Sequence, residues 1–226
     1  MHSLAIETIA HIRSDFPEKF GIPRQSGILK ELKSIIVFEK EFRNADALRG
    51  LEGFSHLWLL WIFSKNIRDT WKPTVRPPRL GGNTRLGVFA TRSSFRPNPL
   101  ALSCVKIEEI REDKELGPLV VVSGADLMDG TPIVDIKPYL PYTDCIPEAL
   151  GGFAATAPES RLQVQIDDSM LKKFEPEKQK ALIELLRQDP RPHYQDDPSR
   201  TYGLKFANHE IKFRVEGEQL IVIDIK

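Results

Sequence analysis

Apolar and polar positions alternate in short runs along most of this chain, and glycine or proline closes nearly every run. A period of two puts successive side chains on opposite faces of a strand, so the pattern predicts a mainly β protein. Strands are predicted over residues 4–12, 34–40, 54–64, 86–91, 101–111, 118–124 and 133–139. Within the third, Leu57-Trp-Leu-Leu-Trp-Ile-Phe63 is continuously apolar. That predicts a strand buried on both faces, and the run is too short to span a bilayer. Residues 42–51 read as a short helix with Asn44 as its cap. A succession of short strands of this kind folds as a closed barrel or as a sandwich.

The pattern changes after Asp144. Residues 148–159 are rich in small side chains and read as a linker. It divides the chain into a β domain over 1–150 and a small α+β domain over 151–226. In the second part a strand is predicted over 161–166, followed by a turn capped by Asp167 or Asp168. Pro176 then opens a helix to Arg187 with Leu182, Leu185 and Leu186 on one face. Three further strands, 201–206, 211–215 and 220–225, follow, the last two paired across Glu216-Gly-Glu218.

Composition narrows the picture. The 226 residues carry 32 Lys and Arg against 32 Asp and Glu, so any nucleic-acid partner must be met by a local patch. The 2 cysteines, Cys104 and Cys145, form no CxxC, and the 5 histidines lack ligand spacing. This argues for no metal and a reducing, cytoplasmic compartment. Residues 1–7 lack the charged-then-apolar pattern of a leader, so a protein with no membrane segment is expected.

One patch stands out. Between Arg68 and Pro97 the basic residues are Arg68, Lys72, Arg76, Arg79, Arg85, Arg92 and Arg96, and the only acid is Asp69. Arginine suits bidentate phosphate contact and stacking on bases, and Trp71 and Phe95 are interleaved as stacking partners. Pro97 and Pro99 flank Asn98 and stiffen the loop. Polar turns also end other strands, at Pro23-Arg24-Gln25, Ser64-Lys65 and Asp129-Gly-Thr-Pro132. Asp135 and Lys137 share a strand face, which reads as an ion pair or as catalytic chemistry. There is no GxGxxG after a strand, no P-loop and no GxSxG elbow. The residues alone thus point to a small-ligand site beside an arginine-rich surface.

The run Gly87-Val-Phe-Ala-Thr-Arg-Ser-Ser-Phe-Arg-Pro-Asn-Pro-Leu100, with Asp129-Gly-Thr-Pro-Ile-Val-Asp-Ile-Lys-Pro-Tyr139, closely resembles the TsaA-like, TrmO-type family. Pro23-Arg24-Gln25, Gly53-Phe-Ser-His-Leu-Trp58, Asp189-Pro-Arg-Pro-His-Tyr194 and Arg200-Thr-Tyr202-Gly match as well, so the resemblance spans nearly the whole chain. Its members are S-adenosylmethionine-dependent tRNA methyltransferases built on a β-barrel instead of a Rossmann sheet. The resemblance implies an N-terminal closed barrel, a homodimer, and N6-methylation of threonylcarbamoyl-adenosine at position 37, beside the anticodon of threonine tRNA. It implies cofactor contacts at Pro23, Arg24, Gln25, Ser64, Lys65, Arg92, Leu102 and the turn of Asp129, Gly130, Thr131 and Pro132.

Methyl transfer to this nitrogen is an in-line displacement that needs the N–H polarised or removed. Asp189 and Asp135 are both candidates for the base, and Lys137, Arg191 and Arg92 could stabilise charge on the ureido oxygen. A substrate carboxylate calls for arginine, with Arg96, Arg191 and Arg200 as candidates. Arg76, Arg79 and Asn98 belong to the expected RNA surface, and Tyr194 and Tyr202 are expected to stack on loop bases. The competing readings are a methyltransferase of the same fold on another substrate, and a non-enzymatic module that senses the cofactor or binds RNA.

Overall fold

The computed structural model describes residues 5–68, 70–156, 162–191 and 197–226. Six strands carry the N-terminal part: β1 (Ala10–Arg13), β2 (Lys33–Phe38), β3 (His56–Ile62), β6 (Leu100–Asp113), β7 (Gly117–Ser123) and β8 (Pro132–Pro138). The short strands β4 (Thr74–Val75) and β5 (Leu86–Gly87) form a separate ribbon. Neighbours in the large sheet run β1-β2-β7-β6-β3-β8, every pairing is antiparallel, and β8 pairs back to β1 at Ala10↔Ile133. The sheet therefore closes into a barrel, one of the two solutions open to the sequence. Ile12, Ile36, Leu57, Leu59, Val120, Val122 and Ile133 fill it and are fully buried. Alternation is what puts them there, because each strand sends every second side chain inwards.

Four elements differ from expectation. β1 begins only at Ala10, near the end of the strand predicted over 4–12. The apolar run of β3 is not buried on both faces. Leu57, Leu59 and Trp61 point inwards, while Trp58, Leu60 and Ile62 lie on the outer face opposite Cys104, Leu102 and Leu100 of β6. The strand predicted over 86–91 is not a barrel strand either: only Leu86–Gly87 pairs, with Thr74–Val75, and Val88–Ala90 coils into a 3-10 turn. Side chains satisfy the carbonyls that a ladder would have used. The Thr91 hydroxyl donates to Val88 O at 2.8 Å, and the Arg96 guanidinium donates to Val88 O at 3.2 Å and Thr91 O at 2.6 Å. In place of one helix over 42–51 there are three short 3-10 turns, Lys40–Phe42, Ala45–Leu48 and Leu51–Gly53, although Asn44 does cap the second, accepting from Asp46 N at 3.0 Å.

The C-terminal elements are α1 (Pro141–Asp144), β9 (Gln163–Gln165), α2 (Asp168–Leu171), α3 (Pro176–Arg187), β10 (Tyr202–Phe206), β11 (His209–Glu216) and β12 (Gln219–Ile225). The last three strands and β9 make a sheet of order β10-β11-β12-β9, with β9 parallel to β12. Leu182, Leu185 and Leu186 of α3 are buried against it, as the 3.6-residue spacing requires. This second core also takes in Phe16, Leu29 and Leu32 from the connection between β1 and β2, and Phe16 packs on Phe206 with ring centroids 5.6 Å apart. The connection that carries Pro23-Arg24-Gln25 is therefore clamped between the barrel and the C-terminal sheet. No helix among the described residues is long and apolar enough to cross a membrane.

Candidate active site

Four connections meet around a cavity of about 690 Å³. Pro23, Arg24 and Gln25 come from the β1–β2 connection, Ser64, Lys65 and Asn66 from the end of β3, Thr91, Arg92, Ser94 and Arg96 from the loop before β6, and Asp126, Met128 and Thr131 from the β7–β8 turn. The wall is the outer face of the barrel at Leu60, Ile62, Leu100 and Leu102. That explains why β3 carries apolar side chains on both sides: one row fills the barrel and the other lines the cavity.

Hydrogen bonds lock the loops to one another. Arg92 Nη1 donates to Gln25 Oε1 at 2.6 Å, and Asn66 Nδ2 donates to Ser94 Oγ at 2.6 Å. Lys19 Nζ donates to Lys65 O at 3.0 Å and also contacts the Asn66 side chain. Of the expected cofactor residues, Pro23, Arg24, Gln25, Ser64, Lys65, Arg92, Leu102 and Thr131 line the cavity. Asp129, Gly130 and Pro132 do not. Asp129 Oδ1 accepts from Ser14 N at 3.0 Å, Gly130 has φ +72 and donates to Ile12 O at 2.9 Å, and Pro132 pairs with His11. These residues build the bend that sets Thr131 at the wall.

A groove of about 2150 Å³ adjoins the cavity and shares Arg24, Gln25, Thr91, Arg92 and Arg96 with it. All seven basic residues from Arg68 to Arg96 line the groove, and no acid among the described residues does. Trp71 and Phe89 stack there with centroids 6.0 Å apart and remain 50% and 70% exposed. Arg68 lies over the Phe95 ring at 4.0 Å. Cations and open aromatic faces in one groove suit an unpaired nucleic-acid loop.

The expected catalytic residues fall into two pairs. Asp189, with φ +50, takes both Arg191 Nε and Nη2 at 2.9 Å on its two carboxylate oxygens, and both side chains are largely buried. Arg191 lines the groove, and the Asp189 carbonyl accepts from Arg24 Nη2 at 3.0 Å, so the pair sits behind the cavity mouth without lining the cavity. Burial lowers the Arg24 pKa, and the Asp189 charge opposes that shift. Asp135 and Lys137 form an ion pair at 2.9 Å on β8 and line neither space.

Arg76, Arg79 and Arg96 line the groove, whereas Asn98 and Arg200 do not. Tyr202 needs correcting as a base-stacking residue. It is only 5% exposed, and its ring is stacked on Phe213 in the C-terminal core, so alternation along β10 turned it inwards. Tyr194 lies outside the described residues.

Sequence reasoning missed Lys19, Asn66 and Asp126. Asp126 was visible only as part of a turn. Its Oδ1 accepts from Ser103 Oγ at 2.5 Å, and Ser103 Oγ in turn accepts from Trp61 Nε1 at 2.9 Å. Burial pushes the Asp126 carboxyl upwards, against the pull of the Ser103 hydrogen bond and the Arg92 charge. Among the described residues no group of three or more His, Cys, Asp or Glu could hold a metal ion. The cavity does fit S-adenosylmethionine: its volume suits a nucleoside-sized molecule, Gln25 and Ser64 can pair polar edges, cations can meet a carboxylate, and one acid faces them.

The family model for the tRNA-methyltransferase O N-terminal domain matches residues 11–145, and that for the TrmO C-terminal domain matches residues 159–226. The chain is 42% identical to a tRNA (adenine(37)-N6)-methyltransferase of Escherichia coli (strain K12) over 95% of this chain and 94% of the relative. It is 33% identical to an S-adenosyl-L-methionine-binding protein of Archaeoglobus fulgidus, over 66% of this chain and 98% of the relative. A crystal structure of TrmO from Pseudomonas aeruginosa superposes with a TM-score of 0.79 at 30% identity, covering 100% of this chain and 99% of that one. With both family models matched in order and a relative aligned from end to end, this chain belongs to the tRNA-methyltransferase O family.

Proposed function

We propose that this chain methylates N6 of threonylcarbamoyl-adenosine at position 37 of threonine tRNA. The chain is an S-adenosylmethionine-dependent tRNA methyltransferase. The observation that carries the finer reading is the opening of the donor cavity, past Arg24, Arg92 and Arg96, into a groove lined by arginines and exposed aromatic rings. Relatives named as tRNA (adenine(37)-N6)-methyltransferases support the position and the atom.

S-adenosylmethionine supplies an electrophilic methyl on a positively charged sulfur. Pro23, Gln25, Ser64, Arg92, Leu102 and Thr131 hold it along the barrel wall. The anticodon stem-loop lies in the groove, with Arg76 and Arg79 on phosphates and Trp71 and Phe89 under an unstacked base. Arg96 and Arg191, at the junction, suit the threonyl carboxylate. The proton leaving N6 goes to a carboxylate. Asp189, whose backbone carbonyl meets Arg24 of the cavity lining, is one candidate and must first loosen its bidentate pair with Arg191. Asp135, the other candidate, is the cross-strand partner of Leu60 on the cavity wall and must likewise give up its ion pair with Lys137. A homodimer is supported by apolar side chains left open after β8, among them Tyr142 at 87% and Ile146 at 60% exposure. The C-terminal part takes part in RNA recognition through Asp189 and Arg191, which follow α3 and stand at the junction.

Labelled S-adenosylmethionine offered with anticodon stem-loops, with and without the threonylcarbamoyl group, tests this. Label is expected only on the modified stem. Equal labelling of both overturns the substrate, and binding of both ligands without any transfer overturns the enzyme reading. Asp189→Asn is expected to lose transfer and keep donor binding; retained turnover moves the base to Asp135.

A further inference from the structure

Among the described residues that line the donor cavity, Asp126 is the one acid, and it faces five cations: Lys19, Arg24, Lys65, Arg92 and Arg96. A sulfonium entering this cavity is itself a cation, so most of the fixed charge around it is repulsive. The carboxylate that offsets this is held from several sides. Oδ1 accepts from Ser103 on β6 at 2.5 Å, Trp61 on β3 braces Ser103 at 2.9 Å, and the Ser26 backbone donates to the carboxylate. Ser26 follows Gln25 directly, and its hydroxyl accepts from Cys104 N at 3.2 Å. These hydrogen-bond donors are uncharged. They fix the position of the carboxylate without neutralising it, and Arg92 is the charged group of the cavity that acts on it.

We propose that Asp126 is the counter-charge of the sulfonium, and that its carboxylate makes the cavity prefer the charged methyl donor over the neutral thioether left after transfer. The inference rests on the cavity being the donor site. It gives the residue a part in turnover that contact alone would not give: once the methyl has gone the sulfur is neutral and its attraction to Asp126 is lost, while the amino-acid end keeps the charges it had before. The carboxyl is pushed towards its neutral form by burial, so an incoming cation relieves a cost that the empty fold carries.

Calorimetry on the full chain tests this with three ligands: S-adenosylmethionine, S-adenosylhomocysteine, and sinefungin, in which an ammonium-bearing carbon replaces the sulfonium. Asp126→Asn keeps an acceptor for Ser103 and removes the charge. It is expected to weaken the donor and sinefungin by about tenfold or more, as for one lost charge pair in a partly desolvated cleft, and the thioether by under about threefold. Equal weakening of all three overturns the inference, because the residue then serves the fold or a part common to the ligands. Ser103→Ala, which keeps the charge and is the safer variant for folding, is expected to retain the wild-type preference. Loss of the preference there overturns the inference as well. Failure of the wild type to bind any of the three overturns the donor-cavity reading and this inference with it, whereas binding with an unchanged preference in Asp126→Asn overturns the inference alone.

Discussion

Gly21 sits where the loop of Pro23, Arg24 and Gln25 meets the C-terminal core, and replacing it by alanine has a cost that follows from the geometry. Its φ is +88, and a Cβ built there comes within 1.8 Å of Leu204 Cδ1 and 3.2 Å of Leu204 Cγ. Leu204 is fully buried on β10 beside Phe206 and Phe213, so it has little room to turn away. Holding an L-residue in the left-handed region costs about 1 kcal/mol or more. Forcing a methyl into a filled core costs about 1–3 kcal/mol. For a chain of this size the sum corresponds to a melting temperature lower by roughly 5–15 °C. Pro23, Arg24 and Gln25 follow directly, so donor affinity falls along with stability. Scanning calorimetry and donor titration read both effects. Leu204→Ala removes the opposing methyls, and although it costs about 2–5 kcal/mol by itself, the double variant is expected to lose less than the sum by about 1 kcal/mol or more. A melting temperature for Gly21→Ala within about 1 °C of wild type, or strict additivity in the double variant, refutes the steric argument.

Three other outcomes follow from the site. Arg92→Ala removes the 2.6 Å bond to Gln25 along with a cavity cation, and donor affinity measured by calorimetry is expected to drop about tenfold. Reversing Arg76 and Arg79 to glutamate is expected to weaken tRNA binding and to lower the slope of log affinity against log salt by about 2, read by filter binding over a salt series. Asp126→Asn is expected to raise the melting temperature of the ligand-free protein at neutral pH. The folded-state pKa of Asp126 lies above the ordinary carboxylate value, so the folded chain holds that proton more tightly than the unfolded one. The penalty is absent at low pH, builds as pH rises past the ordinary value, and is complete above the raised one. The gap between variant and wild type should therefore narrow on acidification, and a gap that widens contradicts the assignment.

What the sequence made legible was whatever local periodicity controls. β6, β7, β8 and α3 lie within a residue or two of their expected ends, since alternation, a Val-rich run and a proline at the first helical turn act on neighbouring residues. Periodicity could not say what covers a face. The second apolar row of β3 looked like a strand buried between layers, and its true cover is a cavity. Nor could it say which core a loop joins: Phe16, Leu29 and Leu32 precede residue 150 by a long way, yet they pack with Leu182, Leu185 and Phe206. Pro23, Gln25, Ser64 and Arg92, which the resemblance grouped together, do line one cavity although they are far apart in sequence. Asp126 was not legible, because its role depends on Ser103 and Ser26, which no local spacing links to it.

The arginines of the loop before β6 do not all act alike, and the structure separates them by what their nitrogens meet. Arg96 donates to two carbonyls of its own loop, at Thr91 and Val88, and so does the work of a missing strand partner while Pro97 and Pro99 stiffen the exit. Arg92, between those two carbonyls and the prolines, is held by that scaffold and bonds across to Gln25. Leu100 and Leu102, 37% and 50% exposed, follow at once on β6 and supply the apolar wall beneath it. One continuous segment thus contributes the frame, the cation and the wall in order. Exposed leucines, crowded guanidiniums and a desolvated carboxylate each run against the rules that stabilise an empty fold. Their meeting in a single cavity is accounted for by a ligand that is apolar along one side, cationic at one atom and anionic at another.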